Sequence, residues 1–304
     1  MTTFVKHTNI VELDYNDLLS DAIDLTKISE AFGIDGVGVL TVKNVPSYLS
    51  ARQKLLPLAR EFAMLPEDIK EQYVHADSFY SFGWSHGKEK LQGKPDVSKG
   101  SFYANPQYDK PVDDEELIKQ YPAFVHPNIW PKDDLPELEH AFKSLGEIIV
   151  AVGKLVARQC DRYIHSRCPS YPEHHLENTI NTSKCCKARL LHYFPMQTPE
   201  SEPDTEDTTK ESKELTTSSF SSWCGWHNDH GSLTGIPYYS PTIPLLFPYY
   251  FILVLYYSST IPLLFSTILL LFPTIPLLFS YYSLLFPTIP ILFANNPLLF
   301  PTIP

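Results

Sequence analysis

The last quarter of the chain contains no charged side chain. Residues 231–304 hold no Asp, Glu, Lys, Arg or His, whereas all 35 acidic and 24 basic residues lie in 1–230. The net charge of −11 therefore belongs to the first part, which has the composition of an acidic, soluble globular segment. An acidic balance without a cluster of Lys and Arg favours no nucleic-acid partner. Any chemistry that needs a charged group must be carried by residues 1–230.

A short apolar repeat fills this tail. Thr-Ile-Pro begins at residues 242, 260, 274, 288 and 302, and the last three intervals are all 14 residues. Known repeat units alternate apolar core positions with polar turns, which this unit lacks. A membrane-spanning helix needs about 20 uninterrupted apolar residues, and prolines interrupt every long run here. We therefore predict that 236–304 is a low-complexity tail that is not a native part of the fold.

The amino-acid composition of the tail suggests which kind of nucleotide sequence encodes it. Leu, Phe, Ile, Pro, Ser and Thr can all be encoded with a pyrimidine in the second codon position, so a pyrimidine-rich nucleotide repeat would produce this composition. We hypothesise that 236–304 is translated non-coding sequence, such as a retained intron. A spliced transcript that encodes these residues unchanged would contradict the hypothesis. A membrane anchor formed by the tail is the alternative that the sequence leaves open.

Residues 1–235 mix the two hydrophobic periodicities, which predicts an α+β fold. The strongest helix pattern runs over 137–165, where apolar residues recur every three or four positions and predict one buried face. Proline 57 is expected to kink or break a second helix. The other expected elements are strands at 9–15, 36–45, 187–195 and 223–233, helices at 17–31, 50–64 and after Leu65-Pro66, and a long shaped loop with short strands at 76–105.

Two further patterns concern order and compartment. Residues 197–222 are acidic, rich in Ser and Thr and nearly free of apolar side chains, so we expect a disordered surface loop. The five cysteines form no C-x-x-C pair, and no apolar core follows Met1 as a secretory signal would require. The cysteines are therefore interpreted as small core residues of a protein in the reducing cytoplasm.

The candidate metal ligands are His227 and Asp229. On a strand, side chains two positions apart point the same way, so the imidazole and the carboxylate would be directed at one point. One further histidine would complete the set of two histidines and one carboxylate that suits non-haem Fe(II) and leaves coordination positions open. His230 would lie on the opposite face and is a poor candidate for the same ion.

The segment 226–235 (Trp-His-Asn-Asp-His-Gly-Ser-Leu-Thr-Gly) resembles the metal-ligand strand of the iron(II)/2-oxoglutarate-dependent oxygenases, in their isopenicillin N synthase-like, plant-type group. Four other segments resemble that family in the same order. They are 36–46, 62–70 (Phe-Ala-Met-Leu-Pro-Glu-Asp-Ile-Lys), 82–102 and 189–195 (Arg-Leu-Leu-His-Tyr-Phe-Pro).

The resemblance implies a helical N-terminal region and a double-stranded β-helix (jelly-roll) core. It also implies Fe(II), 2-oxoglutarate, O2 and a small-molecule substrate that is hydroxylated or desaturated. His227 matches the first histidine ligand and Asp229 the carboxylate ligand. In relatives a tyrosine on the preceding strand helps to hold 2-oxoglutarate. Tyr193 is the candidate here, although the register suggests that Phe194 replaces it.

The sequence departs from the family after Asp229. The second histidine ligand and an Arg-x-Ser that pairs with 2-oxoglutarate are expected later in the chain, yet the last histidine is His230 and the last arginine is Arg189. We therefore expect an incomplete β-helix core and an inactive or impaired enzyme, with a non-catalytic or membrane-tethered derivative as the alternative. The expected division is 1–135 (N-terminal oxygenase-like region), 136–235 (core helix and first β-helix strands) and 236–304 (tail). The sequence indicates neither substrate nor oligomeric state.

Overall fold

The computed structural model describes residues 10–88, 90–91, 94–194, 231–237, 251–254 and 290–291. The helices are α1 (Tyr15–Leu19), α2 (Leu25–Phe32), α3 (Tyr48–Ala63), α4 (Glu67–Glu71), α5 (Glu115–Gln120), α6 (Pro122–Val125), α7 (Glu137–Arg167) and α8 (His175–Thr182). The strands are β1 (Val11–Asp14), β2 (Val39–Lys43), β3 (Gly83–His86), β4 (Lys90–Leu91), β5 (Lys94–Pro95), β6 (Lys99–Ala104), β7 (Lys187–Tyr193), β8 (Thr234–Pro237), β9 (Phe251–Val254) and β10 (Pro290–Ile291).

The described strands form two four-stranded sheets and a two-stranded ribbon. The first sheet has the order β1-β2-β9-β8, with β1 parallel to β2 and the other pairs antiparallel. The second has the order β10-β7-β6-β3, in which β3, β6 and β7 are antiparallel and β10 is parallel to β7. Strands β4 and β5 pair with each other. This mixture of helices and mainly antiparallel strands is compatible with the predicted α+β class.

The core lies between the second sheet and helices α3 and α7. The ring of Phe62 on α3 lies 5.2 Å from Trp84 on β3 and 5.0 Å from Phe102 on β6, measured between centroids. Phe142 on α7 lies 6.3 Å from Phe102. All four rings are almost fully buried, and they hold the helices against one face of the sheet. The predicted apolar stripe over 137–165 is confirmed as the buried face of α7.

The predicted helix over 17–31 is wrong, because the chain forms α1 and α2 with a break between them. Arg158 on α7 donates to the carbonyl oxygen of Leu18 at 3.0 Å, and Arg162 donates to that of Asp21 at 2.8 Å. These two carbonyls would otherwise close turns of a continuous helix. The carboxylate of Asp24 then accepts the N–H of Thr26 and begins α2 as its N-cap.

Helix α3 runs through Pro57 without ending, so the expectation of a break is wrong there. A proline inside a helix removes one hydrogen bond and costs about 3 kcal/mol. Leu55, Leu58 and Phe62 are each at most 6% exposed and lie on the same helix. Burying three large side chains stabilises the helix by more than the proline costs.

Other expectations have mixed outcomes. The strands predicted at 9–15, 36–45 and 187–195 are present in shortened form as β1, β2 and β7. Residues 231–233 precede β8 and are not part of a strand, so that part of the strand predicted at 223–233 is wrong. The loop at 197–222 and most of the tail lie outside the described residues. Among the helices that are described, none is long and apolar enough to cross a membrane.

Candidate functional site

Strand β7 is the element on which the candidate site is built. It pairs with β6 so that Arg189 lies opposite Tyr103 and Tyr193 lies opposite Lys99. Side chains of paired residues project from the same face of a sheet, and successive residues alternate between faces. Arg189 and Tyr193 therefore share one face of β7, while Leu190 and its neighbours at even-numbered positions share the other.

The even-numbered face packs on the helices and is mainly apolar. Ala188, Leu190, Trp84 and Phe102 belong to the main hydrophobic core and are at most 6% exposed. His86 and His192 lie on the same face, at the end of the sheet near Gly100. Packing against α3 and α7 therefore holds β7 in position.

The opposite face, here called the polar face, carries hydroxyl, cationic and phenolic side chains from three adjacent strands. Its members are Ser85, Lys99, Ser101, Tyr103, Lys187, Arg189, Leu191 and Tyr193. Five of them, Ser85, Lys99, Ser101, Tyr103 and Arg189, are between 1% and 8% exposed. Buried polar groups need polar partners, so this face is held together by hydrogen bonds and ion pairs and is the candidate binding surface of the sheet.

The guanidinium of Arg189 is held in a fixed orientation. Its Nε and Nη2 atoms donate to the hydroxyl oxygen of Ser101 at 2.9 and 2.7 Å. Its Cζ atom lies 5.0 Å from the centroid of the Tyr103 ring, within the range of a cation–π interaction. Two hydrogen bonds and one aromatic contact thus restrain a group that would otherwise sample many rotamers.

Lys99 lies at the other end of the polar face and forms an ion pair. Its Nζ atom is 3.2 Å from a carboxylate oxygen of Asp96, and both side chains are 8% exposed. Burial raises the pKa of Asp96, but hydrogen bonds from Ser98 and from the Lys99 ammonium outweigh burial, and the pKa lies below its usual value. The Asp96 carboxylate is therefore charged at neutral pH and neutralises Lys99 locally.

The two aromatic candidates on the strand lie on different sides of the sheet. Tyr193 lies on the polar face, opposite Lys99. Phe194 follows the end of β7, and its ring centroid lies 4.8 Å from His86 and 4.9 Å from His192, against the helix side. Of the two, Tyr193 is on the face that carries the cations.

The predicted metal ligands His227 and Asp229 lie outside the described residues. They occupy the stretch of sequence between β7 and β8, and their assignment as ligands stays a prediction. Within the described ranges, no group of three His, Cys, Asp or Glu side chains is placed to hold a metal ion.

A cavity of about 190 Å³ lies between β7 and helices α3 and α7, on the helix side of the sheet. The strand residues in its lining are Ala188, Arg189, Leu190, Leu191 and Tyr193. Apolar side chains of α3 and α7 form most of the remaining wall, and Ile236 and Pro237 of β8 close one side. Pockets for drug-sized ligands measure roughly 300–1,000 Å³. This cavity suits a smaller molecule.

Sequence reasoning named Tyr193 but missed Arg189, Lys99 and Ser101. The available signal was the alternation along 187–193, which places Arg189 and Tyr193 four residues apart on one face. No local pattern could show that Ser101, 88 residues earlier, would meet the guanidinium. That contact depends on strand pairing at long range.

Comparison with known proteins agrees with this architecture. Residues 13–133 match the family model described as the N-terminal region of the non-haem dioxygenase in morphine synthesis. No curated protein matches the sequence.

Two solved structures illustrate the likeness of fold. One is a protein assigned to the 2OG-Fe(II) oxygenase family from Caulobacter crescentus, with a TM-score of 0.54 and 16% identity over 82% of this chain and 74% of that one. The other is full-length T7H from Neurospora crassa in complex with alpha-KG, with a TM-score of 0.53 and 17% identity over 81% and 73%. The chain shares the fold of the 2OG-Fe(II) oxygenases, and its N-terminal match supports the same superfamily.

Proposed function

We propose that this chain is an Fe(II)/2-oxoglutarate-dependent oxygenase scaffold of the isopenicillin N synthase-like group, acting on a small organic molecule in the cytoplasm. The order of three features carries the proposal. An N-terminal dioxygenase region comes first, then strand β7 with a buried polar face, and then His227-Asn228-Asp229. The structure of the Neurospora crassa protein with alpha-KG and thymine, at a TM-score of 0.51, favours a small-molecule substrate.

His227 and Asp229 are residue types that bind Fe(II), but they supply only two of the three protein ligands that the site needs. The imidazole of His227 and the carboxylate of Asp229 are ligand types that Fe(II) accepts. The bound metal would supply oxidation of a C–H bond at the expense of O2 and 2-oxoglutarate. His227 and Asp229 would hold the ion, and the polar face would orient the oxo acid beside it. A third protein ligand does not follow in residues 231–304, which contain no histidine, aspartate or glutamate.

The proposal includes impaired catalysis. Two ligands bind Fe(II) weakly and allow other divalent metals to compete. The bidentate arginine that relatives supply after the metal ligands is also absent from 231–304. We therefore propose that the chain turns over 2-oxoglutarate slowly or not at all, and that hydroxylation or desaturation of substrate is correspondingly weak.

The metal site is tested on the full chain with His227→Ala. Removing a direct ligand is expected to weaken Fe(II) or Mn(II) binding by about 10-fold or more, because even outer-sphere changes at metal sites have effects of this order. Binding is measured by calorimetry under anaerobic conditions. His230→Ala serves as the matched control, because this neighbouring imidazole is expected to project from the other face, and its metal affinity should equal that of the unaltered chain.

Turnover gives a second readout. Succinate formation from 2-oxoglutarate is measured with Fe(II) and ascorbate, and we expect little product. Rapid succinate formation that His227→Ala abolishes would show a third ligand and contradict the proposed impairment. Equal metal affinity in the unaltered chain and in His227→Ala would contradict the metal site itself.

A further inference from the structure

Residues 75–82 form a loop that is closed at its base and strained at its tip. Val74 and Gly83 pair in an isolated antiparallel bridge, so the residues between them begin and end at neighbouring points. Phe79 and Tyr80 have φ values of 55° and 59°, in the left-handed region that residues with a Cβ rarely adopt. Backbone of this kind persists only where surrounding contacts hold it. The loop therefore depends on the groups that hold it against the rest of the chain.

Two stacked histidine rings are among these groups. The ring centroids of His75, at the start of the loop, and His126, directly after α6, lie 3.9 Å apart with an interplanar angle of 35°. The ring of Phe82, at the other end of the loop, has its centroid 5.6 Å from that of His126. Both ends of the loop thus contact the same imidazole.

The hydrogen bonds of the two rings define where their protons lie. The backbone N–H of Ser78 donates to Nδ1 of His75 at 3.1 Å, so this nitrogen carries no proton and the His75 ring is neutral. A further proton on His75 must go to Nδ1, and it would remove the acceptor of a residue that is 0% exposed. Nδ1 of His126 donates to the carbonyl oxygen of Pro127 at 2.7 Å, so a further proton on His126 must go to Nε2.

The groups around His126 oppose a charge on its ring. Burial lowers the pKa of His126, and the neighbouring His75 and the ammonium of Lys187 on β7 lower it further. Asp77 favours the charged form, with a smaller effect. Cys185 lies near Lys187, and burial raises the pKa of its thiol, which therefore stays uncharged below neutral pH. A proton on either imidazole would thus bring positive charge next to a second ring and a lysine.

We propose that His75 and His126 form a pH-sensitive latch, which holds the loop 75–82 closed while both rings are neutral and releases it when either ring gains a proton. The open loop binds this proton more tightly than the closed loop, because the pKa of His126 is lowered only in the closed arrangement. Lowering the pH below about 6.5, the ordinary pKa of histidine, therefore favours opening. The loop continues into β3, whose Ser85 lies on the polar face, so opening changes the edge of the sheet beside the candidate site.

Hydrogen–deuterium exchange of the full chain measures the opening of the loop. Protection factors, which correct for the intrinsic effect of pH on exchange, are compared for peptides spanning 75–82 between about pH 7.5 and pH 5.5, where histidine changes its charge. One proton bound only by the open loop raises the open fraction by at most about 10-fold over this range, so the protection factor should fall by about 3- to 10-fold. Peptides of α7 should keep their protection, which distinguishes local opening from global unfolding.

Two substitutions remove the titrating rings and keep part of their contacts. His126→Phe keeps an aromatic ring for stacking, and His75→Asn keeps an acceptor for the N–H of Ser78. Lys187 also changes its protonation in this pH range, so each variant is compared with the unaltered chain. The double variant should show a fall in protection that is smaller by about 3-fold or more. His140→Phe is the matched control, because this exposed histidine of α7 lies outside the loop, and its pH dependence should equal that of the unaltered chain.

Circular dichroism at the higher pH shows that each variant is folded, and the two single variants serve as the test if the double variant is not. A pH dependence that the double variant or either single variant removes supports the latch, and the single variants identify the ring that takes up the proton. An equal fall in protection in the unaltered chain and in all histidine variants overturns the inference, because another group is then responsible. Protection of the loop that does not change with pH in the unaltered chain overturns it as well.

Discussion

Asp161→Ala is expected to lower the free energy of unfolding by about 3–4 kcal/mol, because one buried carboxylate satisfies three donors. Asp161 lies inside α7 and is 1% exposed. Its Oδ1 atom accepts the hydroxyl of Tyr171 at 2.8 Å and the N–H of Leu176 at 3.0 Å, and its Oδ2 atom accepts the N–H of Glu177 at 2.9 Å.

The Asp161 carboxylate caps the N-terminus of helix α8, although Asp161 belongs to helix α7. Helix α8 is preceded by His174, whose φ of 56° is left-handed and whose side chain makes no capping hydrogen bond. The first N–H groups of α8 therefore bond to Asp161 of the neighbouring helix. Burial and the Asp161 carboxylate raise the pKa of Tyr171, so its hydroxyl remains a donor throughout the accessible pH range.

Chemical denaturation of the full chain measures this effect. Asp161→Asn keeps an oxygen acceptor and nearly the same shape, so it should cost less than the alanine change. Asp113→Ala provides a control, because that side chain is fully exposed and its removal should leave stability unchanged. A loss below about 1 kcal/mol for Asp161→Ala would contradict the account of three dependent donors.

The contact between Asp161 and helix α8 is also expected to affect the candidate site on β7. Helix α8 leads directly into β7, the strand that carries Arg189 and Tyr193. Loosening α8 is therefore expected to affect ligand binding on the polar face as well as stability. Titration of the full chain with 2-oxoglutarate by calorimetry would show this as a raised Kd in Asp161→Asn.

Elements with strong local patterns could be predicted from the sequence. The apolar stripe of α7 recurs over many turns, and every turn contributes to the same inference. The strand at β7 was predicted within two residues, because Leu190, Leu191, Tyr193 and Phe194 are apolar or aromatic and Pro195 ends the segment. Such elements need no information about their partners.

Elements that depend on partners could not be predicted. The break between α1 and α2 is stabilised by Arg158 and Arg162, which are about 140 residues away in sequence. Helix α3 continues through Pro57 because of packing against a core that local propensity does not describe. Short strands were predicted within 76–105, but the bounds of β6 and its place between β3 and β7 depend on pairing that the local sequence does not show.

The residues of the candidate site also fall into two groups, those that a local pattern indicates and those that only strand pairing brings together. His227-x-Asp229 is a local pattern that the spacing and the family resemblance propose as a metal site, and Tyr193 is proposed from the same resemblance. The polar face combines three strands, and its members are brought together only when β3, β6 and β7 are paired. Strand periodicity gives the face of each residue, but the identity of the neighbour across the ladder requires the register.

The second large expected effect is on the pH dependence of stability, and it comes from Lys187, the first residue of β7. Its Nζ atom donates to the carbonyl oxygens of Ser81 at 2.7 Å and Ala123 at 2.6 Å, and it lies 3.8 Å from the centroid of the Phe82 ring. Burial lowers the pKa of Lys187 from 10.5 to about 7. The side chain thus joins helix α6 and the segment before β3 to the start of the strand, and its affinity for the proton is lowered.

This shift determines the sign of a pH effect on stability. Between pH 7 and 10.5 the unfolded chain holds the Lys187 proton more tightly than the folded chain does, so stability rises with pH in that window. Integration from pH 7 to pH 9 with these two pKa values gives a gain of about 2 kcal/mol. Lys187→Met has no such group and should lack this gain.

The quantity to measure is the difference in free energy of unfolding between the unaltered chain and Lys187→Met at each pH. Burial raises the pKa of Cys160 to about 12, which makes stability fall as pH rises toward 9, but this contribution is present in both proteins and cancels. Urea unfolding at pH 7, 8 and 9 should show the unaltered chain gaining about 2 kcal/mol relative to Lys187→Met. Parallel curves would show that the ammonium is as well stabilised in the folded chain as in water, and that the two carbonyls and the Phe82 ring compensate its burial completely.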